Sequence, residues 1–266
     1  MLNQPEMPQP VGFIHAGFAA NAELSDLDQT NGIISQLKII PRPDSAAIAK
    51  QLIEAGLHYL KERGASQVHV GSVFPHAPFY LGLYGGSRVP GILEEDRAAR
   101  QALLDAGFED VDQVHLLERK LVGFRTTLDR KQLNLRRTCQ IQTVADPPET
   151  TWWESCLFSK AERDRFNLID KQQQKWVGSV SFWDMLPIAS ETGTVCRGLY
   201  DLQISPEMRN AGLGKLLVGE ALKQLAQQGI GRIEVQARDS DPAVLALCDR
   251  LGFDVIAKAY QMVRSV

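Results

Sequence analysis

The chain has 266 residues, 44% of them hydrophobic and 23% charged, with a net charge of −3. That length suits one large domain or two of ordinary size, and the composition excludes wholesale disorder. The charge offers no basic field for nucleic acid, and no apolar run approaches the roughly 18 residues of a membrane helix.

Taken in chain order, the opening MLNQPEMPQP has neither the basic patch nor the apolar core of a signal peptide. The stretch PRPDSAAIAKQLIEAGL (41–57) has a helical frame. Residues 71–95 carry His76, Phe79, Tyr80, Tyr84, Gly85 and Gly86. Their aromatics and glycines predict an ordered loop, packed either on the second half or over an exposed sheet edge. DRAARQALLDAGF (96–108) follows. TTLDRKQLNLRR (126–137), polar and charged, reads as the connection between a first domain, 1–125, and a second, 138–266. ADPPET (145–150) reads as a turn before the second domain's first helix. KWVGSVSFWD (175–184) and TVCRGLYDLQI (194–204) are rich in β-formers and read as strands. Next comes a helix with Leu213, Leu216, Leu217, Ala221, Leu222 and Leu225 on one face, stopped by Gly229. RIEVQA (232–237) is a third strand. Asp241-Pro242 opens another helix, closed at Gly252, and FDVIAKAYQMV supplies a last strand or strand pair.

Cys139, Cys156, Cys196 and Cys248 are scattered with no C-x-x-C pair, which fits reduced thiols in a cytoplasm. All five histidines (His15, His58, His69, His76 and His115) lie in the first half. A histidine base or a His/Cys metal site in the second half is thereby excluded, and no metal is expected.

The chain repeats itself. Shifted by 165 residues, 39–70 overlies 204–235 with nine of 32 positions identical, from Ile39/Ile204 to Val70/Val235. Val11-Gly12 meets Val177-Gly178 at a shift of 166, and 96–108 meets 241–253 at 145. About 40 residues precede Val177 in the second copy against ten before Val11, so the first copy lacks an opening segment.

The copies differ where chemistry is expected. SPEMRNAGLGKLL places Arg209, Gly212 and Gly214 between a strand and a helix. A tight glycine turn there presents free backbone N–H groups and the positive end of the helix dipole, a cradle for phosphate or pyrophosphate. Arg209 adds a forked cation. A Walker A loop is excluded by Arg209 and Leu216, and the dinucleotide fingerprint by Leu217.

The R-x-x-G-x-G pattern, with ISP upstream, RIEVQA after the helix and DPAVLALCDRLGF at the end, resembles the Gcn5-related N-acetyltransferase family over 175–266. RIEVQARDSDPAVLALCDRLGF is similar to that family's ribosomal-protein alanine acetyltransferase branch. With the repeat, the whole chain resembles tandem two-domain acetyltransferases. The resemblance implies an α/β (α+β) fold: two tandem domains, each a mixed central sheet flanked by helices, the first truncated at its start. It implies transfer of an acetyl group from acetyl-CoA to a primary amine by direct attack.

In that family the backbone N–H groups of the strand entering the loop hold the thioester, here Leu202, Gln203 and Ile204. The loop holding the pyrophosphate maps onto Arg209, Asn210, Ala211, Gly212, Leu213, Gly214 and Lys215. Asp241 stands where the family often has asparagine; as a helix opener it also reads as an N-cap. Glu234 stands at the catalytic glutamate of the similar branch, against the plainer reading of a strand carboxylate paired with Arg232. Asp201 is the second candidate base. The family's acid tyrosine is replaced by Cys248, either a weak proton donor or a small buried hydrophobe. One of the tryptophans Trp152 and Trp153 is a candidate for the acceptor pocket.

In the first copy Asp44, Ala47 and Ala49 replace Arg209 and the two glycines, and His69 replaces Glu234. A carboxylate and two Cβ atoms oppose a pyrophosphate, so this copy reads as degenerate. The competing function is a protein that holds acyl-CoA without turning it over. The sequence does not name the acceptor or the oligomeric state.

Overall fold

The computed structural model describes residues 10–73, 76–79, 89–126, 129–158, 161–185 and 193–266. The first half runs β1 (Gly12–Ala20), β2 (Leu27–Ile39), α1 (Ser45–Glu62), β3 (Gln67–Val70), β4 (Ala77–Pro78), β5 (Ile92–Leu93), α2 (Arg97–Asp105) and β6 (Glu109–Lys120). The second runs α3 (Arg130–Thr138), β7 (Cys139–Ala145), α4 (Trp152–Phe158), β8 (Arg163–Asp170), β9 (Lys175–Asp184), β10 (Cys196–Ile204), α5 (Leu213–Gln227), β11 (Arg232–Arg238), α6 (Pro242–Arg250) and β12 (Asp254–Ser265). Among the described residues no helix is long and apolar enough to cross a membrane.

The strands form one mixed sheet in the order β4-β1-β2-β3-β12-β6-β11-β10-β9-β8-β7, with β5 on β12. The order shows an exchange. The last strand of each half leaves its own half and pairs with the other: β6 lies on β11, and β12 lies on β3. At the centre β6 and β12 pair with each other, Glu109 opposite Val263 and Glu118 opposite Asp254. At a shift of 145 residues that register is self-complementary, as in an interface about a two-fold axis.

The repeat holds ladder by ladder. Gly12 opposite Ile39 becomes Gly178 opposite Ile204. Asn31 opposite Gln67 becomes Cys196 opposite Arg232, and Val70 opposite Met262 becomes Val235 opposite Leu117. Some conserved punctuation now has a physical reason. A Cβ on Gly12 would sit 2.9 Å from the Lys38 carbonyl oxygen, and one on Gly178 would sit 2.6 Å from that of Gln203. Both contacts are closer than a Cβ tolerates, so each close strand approach requires glycine. Gly64 and Gly229 close the matching helices α1 and α5 at φ +100° and +88°.

Beneath the sheet, α5 buries Leu213, Leu216, Leu217, Val218, Ala221, Leu222 and Leu225 against Phe166, Val180 and Phe182 of β8 and β9. Each fully buried leucine contributes about 2 kcal/mol of apolar transfer. The matching core of the first half gathers Ile34, Leu37, Ile53, Leu60 and Leu103.

Two expectations change. The connection expected over 126–137 is, from Arg130 onward, the helix α3. Its composition is polar because it lies on the surface of α5, held by Arg136 to Glu220 at 2.6 Å and by the Gln132 amide, which donates to the Gly212 carbonyl at 3.1 Å. The overlooked signal is Asp129, whose carboxylate caps the helix by accepting from the Gln132 N–H at 2.8 Å. The helix after ADPPET is therefore the second half's second, α4. The segment α3–β7–α4–β8 has no counterpart among the described residues of the first half.

Candidate functional site

β10 and β11 are parallel partners over only three positions, Cys196–Gly198 against Arg232–Glu234. Beyond them β10 stays with β9 and β11 stays with β6, so the two strands splay. A bulge helps: between Tyr200 and Gln203 three steps of β10 oppose two of β9, and Asp201 takes φ +52°. A bulge leaves the extra residue's backbone out of the ladder and turns it toward the opening. The resulting cleft has a volume of about 750 Å³.

One wall is the bulged strand, with Tyr200, Asp201, Leu202 and Gln203. Val244, Leu247 and Cys248 of α6 line an apolar channel with Val218 of α5. On the opposite side of the sheet stand Trp153, Glu154 and Phe158 of α4, with Arg165 and Asn167 of β8. Phe158 stacks on Tyr200 at 5.0 Å, and the Arg163 guanidinium lies 5.0 Å over Phe158. Burial pushes the Tyr200 hydroxyl above the ordinary phenol range.

The loop after β10 has the geometry its sequence predicts. Asn210 and Gly212 both take positive φ, +61° and +89°, and Gly212 sits at the N-cap of α5. The first turn of a helix leaves its N–H groups without intrahelical acceptors. Arg209 anchors its Nε on the Ile204 carbonyl at 3.3 Å, which leaves the outer end of its fork at the exposed surface. A Cβ on Gly214 would meet only Leu247, at 3.6 Å, so the protein itself does not demand glycine there. A ligand that approached the backbone closely would. The loop therefore fits a pyrophosphate, and the apolar channel fits the arm that would follow it.

The expected site residues do not all converge. Asp201, Leu202, Gln203, Asp241 and Cys248 line the cleft. The Gln203 amide donates to the Asp201 carboxylate at 2.6 Å, and Arg165 stands 3.9 Å from it. Ile204 and Leu213 pack into the core. Lys215 turns away: its ammonium reaches Asp129 at 3.4 Å and lines a separate cavity of about 200 Å³ with Arg119 and Arg250. Asp241 occupies the N-cap position of α6, but its side chain makes no capping hydrogen bond. Glu234 is 4% exposed and does not reach the cleft lining. It lies one step deeper on the face of β11 that carries Gln236 and Arg238, which do line the cleft. Its carboxylate is 3.5 Å from Arg232 and 3.9 Å from the Cys196 sulfur.

Sequence reasoning missed Gln236 and Arg238, which the period-two pattern from Glu234 contains. It also missed Leu24, a residue at φ +56° in the β1–β2 turn of the first half. Leu24 lines the cleft, and its carbonyl accepts from the Trp153 backbone N–H at 3.1 Å. The described residues of 71–95 pack at the sheet edge and on the second half. β4 pairs with β1 at the sheet edge, while the Pro78 carbonyl accepts from the Trp153 indole at 3.1 Å and Phe79 meets Trp152 edge-on at 5.1 Å. Tyr80, Tyr84, Gly85 and Gly86 lie outside the described residues.

In the first half, Asp44 sits at the N-cap of α1 without capping it, its carboxylate taken by Arg42 Nε at 2.5 Å. His69 is buried at the position of Glu234 and bonds Asn31, which stands at the position of Cys196, at 3.1 Å. Burial and the neighbouring His76 hold His69 down at about 4, so it stays neutral at physiological pH.

All four cysteines are free, and only Cys156 is exposed. Burial pushes the Cys196 and Cys248 thiols up to about 12. Alkylation requires thiolate and access. Iodoacetamide at pH 8 is therefore expected to add once to the native protein, on Cys156, and four times after unfolding, as read by intact mass. An adduct on native Cys248 would show a thiol open to the cleft.

Residues 131–253 match the Acetyltransferase (GNAT) family. Solved structures share the fold. The glucosamine N-acetyltransferase region of a fungal multi-domain GH3 β-N-acetylglucosaminidase superposes with a TM-score of 0.70 at 17% identity, covering 96% of this chain and 31% of that one. A GCN5-related N-acetyltransferase from Sphaerobacter thermophilus gives 0.65 at 11% identity, with 95% and 76% covered. A tandem GNAT protein from the clavulanic acid biosynthesis pathway gives 0.58 at 11% identity, with 89% and 75% covered. The chain thus spans under a third of the fungal protein's length.

Proposed function

Residues 131–253 being a GNAT domain, we propose that the protein transfers an acetyl group from acetyl-CoA to a primary amine at the cleft between β10 and β11. One observation carries the reading. The strand that forms one wall of the cleft is bulged at Asp201 and ends in a loop held open by Gly212 in the left-handed region. A thioester and a pyrophosphate joined by an apolar arm need that succession. Backbone N–H groups around Leu202 and Gln203 hold the thioester oxygen. The Arg209–Gly214 loop holds the pyrophosphate, and Val218, Val244, Leu247 and Cys248 flank the arm. The amine enters on the α4 side, past Trp153, Phe158 and Tyr200. Glu234 takes the amine's proton through a water at the cleft floor, with Asp201 as the exposed alternative. Cys248 serves as channel wall: a thiol held near 12 gives its proton to a thiolate of about 8.5 only uphill.

The first half is proposed to be degenerate toward acetyl-CoA and to contribute structure instead, through Leu24, Pro78 and β6. The free thiols fit a reducing, cytoplasmic setting. The test incubates the purified protein and acetyl-CoA with a panel of amines: a peptide N-terminus, spermidine, glucosamine, an aminoglycoside and free amino acids. Thiol release that depends on one of them, with the acetylated amine found by mass spectrometry, is the expected result. Saturable binding of acetyl-CoA without transfer to any amine would favour a non-catalytic acyl-CoA sensor.

A further inference from the structure

The strand exchange brings a charged residue of the first half to the proposed base. Glu234 on β11 lies directly opposite Glu118 on β6. The Glu118 side chain is 13% exposed and the Glu234 side chain 5%. Like charges directly opposite on an antiparallel pair repel. Arg232 relieves this, but unequally. Its Nη1 donates to Glu118 at 3.0 Å, while its Nη2 stands 3.5 Å from Glu234. Cys196 is the group facing Glu234 from β10. Its thiol, pushed up to about 12 by burial and then by the Glu234 charge, stays neutral and adds no charge of its own. Arg232, Glu118 and Cys196 are thus titratable groups set against Glu234.

We propose that Glu118 is a positioning residue for Glu234: by holding Arg232 it keeps the guanidinium from closing on Glu234, so that Glu234 retains the proton affinity of a working base. The proposal rests on the reading of Glu234 as the base. A guanidinium fully committed to a carboxylate lowers its proton affinity by about one to three pKa units. Such a carboxylate is a poor base at neutral pH. Sharing Arg232 with a second carboxylate, itself a like charge, offsets that loss.

The symmetry of the chain supplies a control. At the matching place in the first half, Val263 of β12 stands opposite His69, and Gln67 stands for Arg232. The charged triad occurs only in the half that carries the glycine loop. The strand exchange then has a chemical consequence: the second half's site is incomplete without β6.

The test reads Glu234 directly. In protein labelled with ¹³C at the glutamate carboxyl, the Glu234 signal is assigned by its loss in Glu234→Gln and titrated in the wild type, Glu118→Gln and Arg232→Gln. The expected midpoint falls by about one pH unit in Glu118→Gln and rises by about one in Arg232→Gln. Opposite shifts are not produced by general loosening of the fold. If Glu118→Gln does not fold, Glu118→Asp, whose shorter carboxylate withdraws from Arg232, should give a smaller fall. A midpoint unchanged or raised in the Glu118 variants overturns the proposal, whatever Glu234 does in turnover. If the midpoints move as expected but Glu234→Gln transfers acetyl at the wild-type rate, Glu234 is not the base. The positioning role is then overturned for that separate reason.

Discussion

Glu234→Gln is expected to lower acetyl transfer at neutral pH by about 10²- to 10⁴-fold, the usual worth of a general base, with acetyl-CoA affinity unchanged. The split follows from where the residue lies. Glu234 is on β11, away from the loop and the apolar channel, and it does not line the cleft. The amide is nearly isosteric and lacks only the ability to take a proton. Folding should tolerate it, because Arg232 keeps its 3.0 Å bond to Glu118 and no buried cation is left unpaired. Steady-state thiol release gives turnover and calorimetry gives affinity. Equal losses in both would point to a damaged fold. Wild-type turnover would pass the role to Asp201, which lines the cleft beside Arg165.

Local signals in the sequence were faithful guides. Gly12 and Gly178 stood at one place in two copies, and both relieve the same clash with an opposing carbonyl. Gly64 and Gly229 marked helix ends that close in the left-handed region. The turn at Gly212 followed from composition and spacing alone. Contacts across the chain were illegible for a physical reason. A strand's pattern shows which face is buried but not which neighbour it finds. Nothing in EDVDQVHLLERK says that it leaves its own half, so neither Glu118 nor the exchange was foreseen. Leu24 is similarly an ordinary turn residue until its carbonyl meets Trp153. α3 was misjudged because charge content was read as a linker, when a charged helix lying on a surface has the same composition. Lys215 was placed by its position in the loop, but its side chain answers to Asp129 instead.

The two halves offer a sharper experiment than any single substitution, because the first carries Asp44, Ala47 and Ala49 where the second carries Arg209, Gly212 and Gly214. Arg209→Asp, Gly212→Ala and Gly214→Ala together write Asp44, Ala47 and Ala49 into the second half. Acetyl-CoA binding is expected to weaken at least 100-fold, about 2.7 kcal/mol. Three effects add. A charge-assisted contact worth about 1.5–3 kcal/mol is lost, and a carboxylate takes its place near the phosphates. Alanine at φ +89° costs about 1–2 kcal/mol and distorts the cradle. The Cβ at position 214 has room in the protein, 3.6 Å from Leu247, so its effect falls on the ligand rather than the fold. The loss of folding stability should therefore stay near the cost of the strained alanine, readable by denaturant titration. Calorimetry on the wild type is expected to show one site per chain, and on the triple variant none. Two sites in the wild type, one surviving the substitutions, would mean that the first half binds acetyl-CoA despite Asp44. Undiminished binding at a single site would mean that the Arg209–Gly214 loop is not the phosphate cradle.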